Sequence, residues 1–126
     1  MKKLDHLKNI FNNYDHFIID LWGVVHNGVK LNEGAMKTIE ELYNNDKNYV
    51  FLSNAPRPVS DVRKFLIEKM QINKKFLNNI LTSGEAAINS IKNFNYGKLF
   101  FHLGPERDSK IFEGLENHKT ELEKCD

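Results

Sequence analysis

Apolar residues fall along this chain in two rhythms. In one they run short and almost unbroken; in the other they recur at helical spacing. "HFIIDLW" from His16 and "NYVFLSN" from Asn48 are of the first kind, which suits strands covered on both faces of a parallel sheet. "KLFFHLG" from Lys98 to Gly104 has the same character and is expected as a third strand. The second rhythm appears in "EGAMKTIEELYNN", with Met36, Ile39 and Tyr43 on one side, Ala35 and Leu42 beside them, and Asn32 as the expected cap. "RPVSDVRKFLIEKM" turns Val62, Phe65 and Leu66 inward. "LTSGEAAINSIKNF" sets Thr82 and Glu85 at capping-box spacing before Ala87, Ile88 and Ile91. The opening "MKKLDHLKNIFNNYD" reads as an amphipathic helix, and the polar tail from Pro105 as partly helical, with that proline in a first turn. Strands alternating with helices predict parallel βαβ units in an α/β, Rossmann-like three-layer sandwich.

Composition narrows the picture only a little. The 126 residues suffice for one modest domain, and 40% hydrophobic content allows a real core. A net charge of +1 gives no argument for nucleic acid or an anionic membrane as partner. No apolar run approaches the roughly 20 residues of a spanning helix, and the N-terminus lacks a signal peptide's apolar stretch. The single cysteine, Cys125, can form no internal disulfide, and the expected compartment is the cytoplasm.

Chemistry in open parallel sheets gathers at the carboxyl ends of strands. Three such ends are expected here: Asp20, then Ser53 and Asn54, then Gly104. Alone, Asp20 is a turn or cap residue and Ser53 a turn hydroxyl as readily as anything more. On adjacent strands they put a carboxylate opposite a hydroxyl, with Gly23 letting the chain turn sharply away. Such a carboxylate can attack phosphorus, while the second strand end holds phosphoryl oxygens. Arg57 and Arg107 could contact an anionic substrate but read more simply as surface residues. His102, Phe100 and Phe101 read as core, and His/Cys metal spacing is absent.

Together, "DLWGVVHNG", "FLSNAPRP", "TSGEAA" and "HLGPERD" resemble the haloacid dehalogenase-like (HAD) hydrolase superfamily, which is dominated by phosphatases. The likeness runs from about Asp15 to Asp108. It is similar to subclass IIA, and within it to a sugar-phosphatase-like branch with Trp in the first motif. The resemblance implies Asp20 as nucleophile and magnesium ligand, the backbone carbonyl of Trp22 as a second ligand, and Ser53 as phosphoryl-binding hydroxyl. Asn54 would organise the loop beside it, and Gly23 and Gly28 would be turn and flap glycines. The substrate class it implies is a small phosphorylated metabolite.

Two departures qualify that likeness. Trp22 stands where the family has a second aspartate serving as general acid and base. Indole can only donate a hydrogen bond, and losing a positioned acid/base forfeits ~10²- to 10⁴-fold in rate. Trp22 therefore implies slow hydrolysis, another acid in its place, or different chemistry. His26 is a candidate proton donor. The family's later lysine and paired aspartates also have no counterpart after Asp108, and magnesium is rarely held by one carboxylate. The expectation is the N-terminal part of a HAD-like core spanning 1–126, without cap or later core strands, binding magnesium weakly or not at all and catalytically incomplete. The alternative is a non-catalytic remnant that pairs with a partner, or with itself, through an open sheet edge. A phosphate-receiving signalling domain is disfavoured, because its phosphorylated aspartate would sit where Ser53 does.

Overall fold

The computed structural model describes residues 6–106 and 111–126. Its centre is a parallel sheet of three strands in the order β1-β2-β3, namely β1 (His16–Asp20), β2 (Asn48–Ser53) and β3 (Ile80–Thr82). Asp20 pairs with Leu52, Leu52 with Leu81, and Ser53 with Thr82, so all three strands end at one edge.

Helix α1 (Glu33–Asn44) joins β1 to β2, and α2 (Val59–Glu68) joins β2 to β3. Asn32 starts α1 as expected, its Oδ1 accepting from the N–H groups of Gly34 and Ala35 at 3.0 and 3.3 Å. Ile39 of α1 and Val62 and Leu66 of α2 close over Phe51, with Leu21, Val25, Met70, Ile72, Phe76 and Leu77 completing the core. Each such side chain, fully buried, stabilises the fold by about 1.5–3 kcal/mol. Lys47 fastens the chain ahead of both long strands, its Nζ lying 2.8 Å from Asp15 Oδ1 and 2.9 Å from the Tyr14 carbonyl.

The opposite sheet face is sparsely covered. Helix α3 (Ser83–Lys92) leaves β3 on that side, where Ala86 lines a cleft with Ile18, Leu52 and Leu81. Ile18 is nonetheless 73% exposed, and Leu52 and Leu81 remain nearly half exposed. No helix among the described residues is long and apolar enough to cross a membrane.

Three expectations need correction. The third strand is Ile80–Thr82, while residues 98–104 join no sheet: Phe100 makes one isolated bridge to Lys119. Phe100 and His102 instead stack against Phe112, with ring centroids 4.9 and 4.8 Å away. Phe101 is exposed rather than core, and His102 is half-buried outside any strand. The described part of the N-terminal segment forms two 3-10 turns, Leu7–Asn9 and Phe11–Asn13, in place of one amphipathic helix. Its asparagines favour side-chain-to-backbone bonds over continuous helix. In the tail, the turns Glu116–His118 and Leu122–Lys124 are likewise 3-10.

Candidate active site at the carboxyl edge of the sheet

Asp20 is the last residue of β1 and is exposed; its Oδ1 accepts from the Leu21 N–H at 2.8 Å. Ser53 closes β2 one step beyond Asp20's partner and is buried, its Oγ accepting from the Ala55 N–H at 3.2 Å. A hydroxyl also has a proton to donate, and among the described residues no acceptor engages it. Asp20, Ser53 and Asn54 line one open cleft of about 690 Å³, together with Trp22, Thr82 and Ser83. The carboxylate and hydroxyl singled out in the sequence thus meet at one crevice.

What fixes the loop after β2 is the start of α3. Thr82 Oγ1 donates to the Arg57 carbonyl at 2.6 Å and accepts from the Glu85 N–H at 3.0 Å. Ser83 Oγ reaches the carbonyls of Asn54 and Ala55 at 2.9 and 3.0 Å, and the Gly84 N–H donates to the Ala55 carbonyl at 3.1 Å. Gly84 has to be glycine, because a Cβ there would lie 2.6 Å from the Pro56 carbonyl carbon. The capping box is half made: Glu85 bends away and its Oε2 accepts from the Val59 N–H of α2 at 3.0 Å. That bond satisfies an N–H at the start of a helix whose cap, Pro58, offers no side-chain acceptor. Thr82, Ser83 and Gly84 were not singled out as site residues. The signal for them lay in the string "TSGE", where a glycine sits in a helix's first turn with no conformational need for one.

The second wall is the stretch from Leu21 to Leu31. Gly23, at φ +82°, donates its N–H to the His26 carbonyl at 2.8 Å and folds the chain back on itself. Gly28, at φ +86°, lies beneath the Trp22 indole, where a Cβ would come within 2.7 Å of the ring. His26 is buried between Trp22 and Phe65, with ring centroids 5.6 and 5.4 Å away. Its Nδ1 accepts from the Gly28 N–H at 3.0 Å, which assigns the ring proton of the neutral form to Nε2. Burial lowers its pKa, and the Asp20 charge pulls the other way. His26 lines two neighbouring clefts, one with Gly23, Asn27 and Lys30 and the other with Trp22, Ser53 and Arg57. It does not line the one that holds Asp20.

Arg57 is exposed beside the site in the second of those clefts. Gly104 ends no strand, lies against the His102 ring and lines none of these clefts. Arg107 and Asp108 are outside the described residues.

Magnesium asks for near-octahedral oxygen coordination. Asp20 is the one acid lining its cleft, and the described residues contain no cluster of three or more His, Cys, Asp or Glu able to hold a metal. Asp20 with the Trp22 carbonyl is a partial donor set, and the described residues do not by themselves fit the ion.

A parallel sheet flanked by helices, with a carboxylate and a hydroxyl at the carboxyl ends of neighbouring strands, defines a Rossmann-like α/β domain. The family model for haloacid dehalogenase-like hydrolases matches residues 17–117, and the chain belongs to that family. Among solved structures it is similar to a haloacid dehalogenase-like hydrolase from Brucella suis 1330, with 24% identity, TM-score 0.79, and coverage of 97% of this chain and 46% of that one. A NagD-like protein matches at 28% identity and TM-score 0.60, over 89% of this chain and 44% of that one. A hypothetical protein from Pyrococcus horikoshii OT3 matches at 22% identity and TM-score 0.60, over 84% of this chain and 40% of that one. The chain thus spans less than half the length of each. Comparison with curated proteins finds no match.

Proposed function

We propose that this chain carries the nucleophile half of a phosphatase site acting on a small phosphorylated metabolite, in the subclass IIA branch with tryptophan in its first motif. In this reading an Asp20 carboxylate oxygen bonds to phosphorus while the ester P–O bond breaks, giving an aspartyl-phosphate and an alkoxide that takes a proton. Water then attacks that phosphorus, restoring the carboxylate and releasing phosphate. Ser53 Oγ and the amides after it hold the phosphoryl oxygens. Magnesium, when bound, would neutralise charge on phosphate and nucleophile; Asp20 and the Trp22 carbonyl are the ligands this chain offers. His26 enters as proton donor only through Nε2, since Nδ1 is occupied. The cytoplasm is the proposed compartment.

The observation that supports this reading is the shared cleft of Asp20, Ser53 and Asn54. Its test is an amide NMR titration with inorganic phosphate and magnesium. Shifts centred on Ser53, Asn54 and Ala55, altered in Asp20→Asn, are expected; no shifts, or shifts elsewhere, overturn the proposal. Because the metal donors are few, the chain alone is expected to show no ester turnover above the Asp20→Asn control, and robust Asp20-dependent hydrolysis would refute that.

A second reading, a non-catalytic module that associates with a second copy of itself, is favoured by one observation. The sheet face bearing Ile18, Leu52 and Leu81 is open to solvent beside the outer edge of β1, and unpaired edges invite pairing.

A further inference from the structure

Trp22 is 63% exposed, yet its ring is held from below and behind. Gly28 supports its six-membered ring so closely that no Cβ fits between them. His26 meets it edge-on, is itself wedged against Phe65, and is bonded through Nδ1 to the Gly28 N–H. The indole is therefore fixed in place with the rest of its surface turned outward.

That outward surface lies between two clefts. Trp22, Ser53 and Asn54 are common to the cleft of Asp20 and to a second one of about 460 Å³. The second runs past Ala55 and Pro56 toward Arg57 and Phe65 and is lined mainly by apolar side chains. A phosphate ester with its phosphoryl group at Asp20 and Ser53 can extend its leaving group along Trp22, which lines both clefts. An apolar surface fixed in advance costs little ordering on binding, and aromatic faces attract flat partners beyond simple area burial.

We infer that Trp22 is a stacking platform selecting phosphate esters whose leaving group carries a planar ring, seated over the indole and directed into the cleft of Pro56 and Phe65. The inference rests on the phosphate-ester reading above and adds the chemical class of the leaving group. Trp22 is here a specificity residue rather than a proton carrier.

The chain has one tryptophan, so tryptophan emission, excited at the red edge where tyrosine does not absorb, reports on this residue alone. The test compares phenyl phosphate with glycerol phosphate, two monoesters of equal charge, by Trp22 emission and by the amide shifts of Ser53 to Ala55. Phenyl phosphate is expected to quench Trp22 and to bind about tenfold tighter. Followed by amide shifts, the ratio of the two affinities is the readout: Trp22→Phe keeps most of that preference and Trp22→Ala abolishes it. Equal affinity for the two esters, or a preference surviving Trp22→Ala, overturns the platform and leaves the phosphatase reading standing. Binding of neither ester removes the phosphatase reading and the platform with it.

Discussion

Replacing Gly84 with alanine adds one methyl group where the loop after β2 leaves no space. The new Cβ would sit 2.6 Å from the Pro56 carbonyl carbon and 2.7 Å from that of Arg57. Favourable carbon contacts begin near ~3.5 Å, so either the helix start or the loop has to shift by most of an ångström. Overpacking of this kind costs about 1–3 kcal/mol. Alanine's better helix propensity returns up to about 1 kcal/mol in a helix interior and less in a first turn. Gly34 supplies a matched control: it is also the second residue of its helix, and a Cβ there meets only Asn32 Oδ1 at an ordinary 3.4 Å. Gly34→Ala should be neutral or slightly stabilising, and Gly84→Ala should lower stability by about 1–2 kcal/mol. For a 126-residue domain each kcal/mol moves the melting midpoint by roughly 4 °C. Urea unfolding of both variants gives the difference, and amide spectra should show the Gly84→Ala disturbance at Asn54, Ala55 and Arg57. Equal midpoints for the two variants would refute the claim that α3 clamps the loop after β2.

Two further outcomes follow from the buried histidine and the open sheet face. Because burial lowers the pKa of His26, the unfolded chain takes that proton first, and stability should fall as pH drops through about 6.5. The loss levels off only below the folded-state value. His26→Asn, which keeps an acceptor for the Gly28 N–H, should flatten the profile between about pH 8 and pH 5, and an unchanged slope in chemical unfolding would contradict the assignment. If the face of Ile18, Leu52 and Leu81 pairs with a second copy, sedimentation should show concentration-dependent dimers that Ile18→Lys dissolves; a parent chain monomeric at high concentration removes that reading.

The parts of the fold that could be read from the sequence are those where pattern and packing agree. β1 and β2 are long enough for their apolar runs to be unmistakable, and α1 and α2 carry clear stripes, with Ile39, Leu42, Val62 and Leu66 buried as expected. β3 was missed because it is only three residues long and merges directly into α3, so Ile80–Thr82 looked like the lead-in to a helix. Residues 98–104 misled in the other direction. They have strand-like composition but no neighbouring strand to bond with, and Leu103 ends 90% exposed. At the site, Asp20 and Ser53 were visible because strand ends are where polar residues stand out. The roles of Thr82, Ser83 and Gly84 depend on a loop 25 or more residues earlier in the chain, and no local pattern announces such a contact.

The reach of Glu85 from one helix to the first turn of another has a consequence for how this crevice can breathe. Swinging residues 54–57 outward would strip α2 of its borrowed cap and break the bonds that Thr82, Ser83 and Gly84 make to the loop, unsettling two helices at once. The stretch opposite, from Trp22 to Leu31, is held chiefly by short-range bonds of its own, such as those of Gly23 to His26 and Asn27 to Lys30. A visitor to the pocket therefore meets two braced jaws, one tied to a pair of helices and the other, which carries the tryptophan, pinned through Leu21 and Val25 in the core.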